Sequence, residues 1–146
     1  PRPPARAARR AWPGLRDRAA MSGDDALAAR LLATFRLELE EQARLAAELL
    51  LRLDAAPDDA EALRALFRVM HTLKGAARAA GVPAVERLCH ALEALLAEVR
   101  DGRRPLGAAE LGTLFAGLDA LAAAQAHLAA GAPPDALTLE RAAATP

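Results

Sequence analysis

This chain has almost nothing from which to build a sheet. It contains no isoleucine and no tyrosine, and only four valines, five threonines, three phenylalanines and one tryptophan among its 146 residues. Strands draw on β-branched and aromatic side chains, so a sheet protein is excluded. Cysteine occurs once, at Cys89, which rules out an internal disulfide and fits a reducing compartment. Long apolar runs are missing too. The leucine triplet Leu49-Leu50-Leu51 stops at Arg52, far short of the ~20 apolar residues that span a bilayer. The first 20 residues hold no apolar stretch of the ~7–15 residues that a secretory signal requires. Together these absences point to a cytoplasmic helical protein with no membrane partner.

What the chain does have is alanine and leucine, 41 and 26 of them, which supply 67 of its 78 hydrophobic positions. Both head the ranking of helix formers, and a chain of about 150 residues is long enough for one domain with a modest core. The net charge of zero is an average over two unlike parts. Residues 1–20 carry six Arg against one Asp, whereas residues 21–146 carry 13 basic and 18 acidic side chains. An acidic body lacks the basic face that nucleic-acid binding needs, so no nucleic-acid partner is expected. Residues 1–20, rich in Pro, Arg and Ala and without an apolar period, read as a disordered basic arm or linker. Met21-Ser22-Gly23 looks like a natural start.

Four helical segments follow. Ser22 with Asp25 three residues on resembles a capping box and opens a helix over about 24–54, with Leu27, Leu31, Phe35, Leu45 and Leu49 at helical spacing. Pro57 breaks the chain, and Asp58 and Asp59 put negative charge where the dipole of a second helix, over about 58–80, favours it. That helix presents Leu63, Leu66, Phe67, Met70 and Leu73 on one side. Gly81-Val82-Pro83 pairs a C-terminal glycine with a proline at the next first turn. A third helix, over about 83–101, shows Val85, Leu88, Leu92, Leu96 and Val99. A fourth, over about 107–130, shows Leu111, Leu114, Phe115, Leu118, Leu121 and Leu128. Gly131 and Pro133-Pro134 stop it, leaving 135–144 for a short fifth helix. Amphipathic helices joined by short loops predict an all-α, antiparallel up-down-up-down four-helix bundle over 21–131. Residues 132–146 form an Ala/Pro-rich tail or the start of a linker to a larger parent.

The chemistry concentrates in His71-Thr72-Leu73-Lys74-Gly75. At about 100° per residue, the apolar stripe of the second helix centres roughly 110° away from His71, which places the imidazole on its flank. Arg64, Arg68, Lys74 and Arg78 fall within about 60° of the same direction. An imidazole among cations on an open face can accept a phosphoryl group whose oxygens the cations neutralise. Lys74 is the one lysine beside 18 arginines, and a compact ammonium on a flexible stem can follow a phosphoryl oxygen. Gly75 lies one turn after His71, at a cost of about 1 kcal/mol relative to Ala in a helix interior. Its missing methyl would let a partner approach; the alternative is a tolerated glycine or a local packing constraint.

A hairpin of the second and third helices centred on Val82 puts His71 level with Glu93 and Lys74 level with His90. A carboxylate accepting from Nδ1–H would fix the tautomer and leave the Nε2 lone pair outward as nucleophile. The alternative is an ordinary surface glutamate.

At Phe67-Arg68-Val69-Met70-His71-Thr72-Leu73-Lys74-Gly75-Ala76-Ala77, then Leu88-Cys89-His90-Ala91-Leu92-Glu93-Ala94-Leu95-Leu96 and Arg100-Asp101-Gly102, the sequence resembles the histidine phosphotransfer (HPt) domains. It is most similar to the N-terminal phosphotransfer domain of CheA-type chemotaxis histidine kinases, and Ala33-Thr34-Phe35-Arg36-Leu37-Glu38 resembles that family's first helix. The resemblance covers roughly residues 22–130. It implies that His71 takes a phosphoryl group from a kinase's ATP-binding domain and passes it to an aspartate of a response-regulator receiver. It also implies that Lys74 assists, Glu93 orients, and His90 is an accessory residue, with Gly75, Arg68 and Arg78 at the partner's approach. ATP and Mg2+ are expected on the kinase and receiver, and no cofactor or metal on this chain. Arg78 and Ala79 depart from the small or Ser-like residues of many relatives.

The resemblance implies no catalysis by this chain alone, only by a parent ATP-dependent protein-histidine kinase. The dimerising histidine domain of sensor kinases matches less well, because Thr72 and Gly75 stand where that domain has an acidic residue and proline. Of the alternatives, a metal or haem site among His71, His90, Glu93 and His127 lacks the paired Glu-x-x-His motifs of carboxylate-bridged bundles. A non-catalytic helical interaction module, with His71 fortuitous, is the other. His127 reads as a surface or core-edge residue and Cys89 as a small buried hydrophobe.

Overall fold

The computed structural model describes residues 23–144, which form five helices and no strand. They are α1 (Gly23–Ala55), α2 (Ala60–Ala80), α3 (Pro83–Arg100), α4 (Ala108–Ala129) and α5 (Ala136–Ala144). Each of α1–α4 packs on its sequence neighbours, α1 also packs on α4, and in neither diagonal pair, α1 with α3 or α2 with α4, do the backbones come within 8 Å. That closed ring with short connections is the up-down-up-down bundle. The basic arm and Ser22, the first half of the expected capping box, lie outside the described residues.

The helix ends follow the chain's punctuation. Asp59 caps α2, its carboxylate accepting from the backbone N–H of Ala62 at 3.0 Å, so the helix starts two residues later than expected. That same hydrogen bond, aided by Arg52, holds the Asp59 carboxyl below the usual carboxylate range. Gly81 ends α2 in the left-handed region at φ 73°, and Val82 donates back to the Ala77 carbonyl at 2.9 Å. Pro83 then opens α3. At α4, Glu110 reaches back to accept from the Gly107 N–H at 3.0 Å.

The core joins Phe35, Leu39, Leu50 and Leu53 of α1 to Leu66, Met70 and Leu73 of α2, Leu88, Leu92 and Leu96 of α3, and Leu114 and Leu121 of α4. In α1 the expected stripe is only half correct. Phe35 and Leu49 are buried, but Leu27, Leu31 and Leu45 are 50, 42 and 41% exposed. Leu45 lies on the flank of the true stripe, whose place is taken by Leu39 and Ala46. For Leu27 and Leu31 the reason is length: α1, with 33 residues, reaches about 50 Å, whereas the 21-residue α2 reaches about 32 Å. The first turns of α1 have no full set of neighbours.

Within 132–144, α5 lays buried Leu139 against α3 and α4, and Arg87 of α3 pairs with Glu140 at 3.1 Å. No helix among the described residues is long and apolar enough to cross a membrane.

Candidate functional site

The α2–α3 hairpin is the most extensive helix pair in the molecule, and the tight turn at Gly81-Val82-Pro83 sets its register. Leu73 and Met70 face the core, which fixes the rotation of α2 and turns His71, Lys74 and Gly75 toward its α3-facing edge and solvent. From α3, Leu92 and Leu96 are buried, so Glu93 emerges at the same edge.

The Glu93 carboxylate joins the other two groups. One oxygen lies 3.0 Å from His71 Nδ1, and the other accepts from Lys74 Nζ at 2.9 Å. The Glu93 side chain is 16% exposed and the His71 side chain 66%. Partial burial pushes the Glu93 carboxyl up, but the hydrogen bonds from Lys74 and His71 and their charges outweigh it and hold it below the usual carboxylate range. Glu93 is therefore ionised at neutral pH and can only accept hydrogen bonds. His71 Nδ1 must then be the donor, which leaves the lone pair on Nε2.

His71 and Glu93 thus meet as the hairpin geometry predicts. Lys74 does not pair with His90: its flexible stem carries the ammonium to Glu93, and exposed His90 makes no hydrogen bond or ion pair among the described residues. Arg64, Arg68 and Arg78 line the exposed side of α2, again with no ion pair among the described residues. Gly75 is exposed, and a Cβ built on it would meet nothing within 4 Å. Packing inside this chain therefore does not require glycine there.

Cys89, one turn before Glu93, is buried. Desolvation, with a contribution from the Glu93 charge, pushes its thiol up to about 12. His127 is exposed on α4, far along the chain from this cluster. Among the described residues, no group of three or more His, Cys, Asp or Glu is gathered to hold a metal ion.

Two residues beside the site, one stacked on the imidazole and one on that residue's ring, belong to no expected site. The Phe67 ring stacks on it at 9° between planes and 6.4 Å between centroids, and the Arg100 guanidinium lies 4.7 Å from the Phe67 centroid. Phe67 reads from the sequence as one more member of the apolar stripe. Its i, i+4 spacing to His71 was the available signal.

The family model described as Hpt domain matches residues 30–126. The chain is 36% identical over 92 residues to the chemotaxis protein CheA of Halobacterium salinarum, covering 63% of this chain and 14% of that protein. Among solved structures it is similar to the phosphorylated P1 domain of CheA3 in complex with CheY6 from R. sphaeroides. The TM-score is 0.65 and the identity 27%, with 79% of this chain and 96% of that one covered.

Proposed function

The chain belongs to the Hpt domain family, and from that premise we infer that it is a phosphorelay carrier whose nucleophile is Nε2 of His71. The observation that carries the reading is the Glu93 carboxylate shared between His71 Nδ1 and Lys74. Nδ1 keeps its proton, so the Nε2 lone pair is directed outward from a side chain that is two-thirds exposed.

The transfer follows from that arrangement. The Nε2 lone pair forms a bond to the γ-phosphorus of ATP held with Mg2+ on a kinase domain, and the bond from phosphorus to the bridging oxygen breaks. Its electron pair leaves with ADP. The imidazole ring then carries positive charge, which the adjacent carboxylate stabilises. In the second step a carboxylate oxygen of a receiver aspartate attacks phosphorus, and the nitrogen–phosphorus pair returns to Nε2. Phosphoryl transfer depends mainly on positioning and on neutralising the equatorial oxygens. Lys74 has three N–H donors and spends one on Glu93, so it can donate another to a phosphoryl oxygen. Arg68 and Arg78 supply charge for a partner's approach, and the open Gly75 supplies room.

The partners are a histidine kinase catalytic domain and a response-regulator receiver of chemotaxis type, which places the chain in the cytoplasm. The chain spans about one-seventh of the CheA relative, and its parent on this reading is an ATP-dependent protein-histidine kinase.

The test is labelling with a CheA-type kinase domain and ATP. An acid-labile, base-stable phosphate is expected on the wild-type chain and none on His71→Gln, whose circular dichroism melt stays near wild type because residue 71 is exposed. Labelling that persists in His71→Gln overturns the assignment.

A further inference from the structure

We propose that Phe67 is a positioning residue for His71, and that Arg100 holds Phe67 in place. This inference rests on the phosphotransfer reading and names what steers the nucleophile beyond Glu93.

A single hydrogen bond from Nδ1 to Glu93 fixes one atom of the imidazole. It leaves the ring free to swing about that contact, because the last side-chain torsion of His is broad and roughly two-fold. Two-thirds of the side chain faces solvent, so packing does not restrain the open side. The Phe67 ring supplies the missing restraint. It lies one turn earlier on α2, nearly parallel to the imidazole, at a centroid separation within the range of offset aromatic pairs. Together the carboxylate and the ring define both the direction of Nε2 and the plane of its lone pair.

Phe67 is itself half-buried, and Arg100 of the last turn of α3 lies over it within cation–π reach. Arg100 is tied in turn to Asp101, the C-cap of α3, through Nε at 3.0 Å, and Arg103 donates to the other Asp101 oxygen at 3.3 Å. The imidazole is thus held from the middle of α3 by Glu93 and from its end by the Asp101–Arg100–Phe67 chain. The separation of 6.4 Å between the two rings exceeds the roughly 6 Å over which a π face attracts a cation. Phe67 therefore acts on the phosphorylated imidazolium by orientation rather than by charge.

The test uses potassium phosphoramidate, a small donor that removes partner docking from the measurement. Nε2 forms the bond to phosphorus, and ammonia leaves with the electron pair of the phosphorus–nitrogen bond. On the whole 146-residue chain, Phe67→Leu keeps an apolar side chain and loses the ring; labelling of His71 is expected to slow about three- to tenfold. Phe67→Tyr should restore the rate to within about twofold. Arg100→Gln, at an exposed position, should slow it in the same direction by a smaller factor. In proton NMR, the ring-current displacement of the His71 ring protons disappears in Phe67→Leu and returns in Phe67→Tyr. With a kinase domain as donor, kcat falls and KM for the chain is unchanged. Equal labelling of wild type and Phe67→Leu, or failure of Phe67→Tyr to rescue, overturns this inference alone. Arg100→Gln at the wild-type rate overturns the part assigned to Arg100, whether or not Phe67→Leu folds. A wild-type chain that neither phosphoramidate nor kinase labels overturns the phosphotransfer reading, and this inference with it.

Discussion

Gly75→Ala separates what this chain needs for itself from what it keeps for a partner. Glycine inside a helix costs about 0.5–1 kcal/mol relative to alanine, because the unfolded chain has more freedom to lose. A methyl at 75 meets no atom within 4 Å, so no packing cost offsets that gain. The variant should be more stable by about 0.5–1 kcal/mol, and the melting temperature should rise by roughly 2–5 °C for a bundle of this size. Transfer should move the other way. On the phosphorelay reading the same methyl, one turn from His71, stands in the path of a docking partner, where an overpacked contact costs about 1–3 kcal/mol, so labelling by a kinase domain should fall about tenfold or more. Phosphoramidate, too small to need the docking face, should label the variant within about twofold of wild type. Thermal melts by circular dichroism and the two labelling rates measure all three effects. A lowered melting temperature would mean that the glycine serves packing within the chain. A raised one with unchanged kinase labelling would remove Gly75 from the partner's path.

Two further substitutions test the packing around the site. Glu93→Gln should slow His71 labelling while changing stability at neutral pH by no more than about 1 kcal/mol, as expected for a partly exposed ion pair. Because the folded carboxyl lies below its unfolded value, the stability that Glu93 adds is complete above the unfolded value of about 4.3 and is lost as pH falls through the folded one. The difference in urea midpoint between wild type and variant should therefore shrink as pH falls below about 5; a difference that persists undiminished to about pH 3 refutes the stabilising role of the carboxylate. Gly117→Ala should behave oppositely to Gly75→Ala. Its Cβ would lie 2.8 Å from both δ carbons of Leu92, which at 2% exposure has no free space to enter. An overpacking cost of about 1–3 kcal/mol less about 1 for helix propensity leaves the variant neutral to about 2 kcal/mol destabilised. A higher urea midpoint would refute the close approach of α3 and α4.

Much of this architecture is legible before the fold is known, because proline, glycine and aspartate mark each helix end. Pro57 with Asp59, Gly81 with Pro83, and Gly107 bound the helices within two residues of where they are found. What periodicity cannot report is how many neighbours a helix has. Leu27 and Leu31 keep the spacing of buried residues and lie exposed because α1 outruns its partners. The hairpin count puts Glu93 beside His71 because both sit on short levers close to their backbones. It does not say where Lys74 reaches, because a four-carbon stem spans most of a helical turn and finds the Glu93 carboxylate rather than the level His90. Phe67 was hidden for a different reason. Its spacing assigns it to the core, and only the orientation of the ring shows that it also stacks on the imidazole.

On the phosphorelay reading, Glu93 also bears on which side chain can act as nucleophile at all. Cys89, a better intrinsic nucleophile than imidazole once ionised, stands one turn before Glu93 on α3. Burial pushes its thiol up to about 12, and the carboxylate charge adds to that shift. At neutral pH almost no thiolate exists, and the sulfur is shut inside the core. The same negative charge, accepting from Nδ1, keeps the imidazole in the tautomer whose lone pair faces solvent. One ionised carboxylate, hydrogen-bonded to Lys74, therefore raises the thiol pKa, an effect that the Lys74 charge partly opposes, and on the phosphorelay reading it also orients His71.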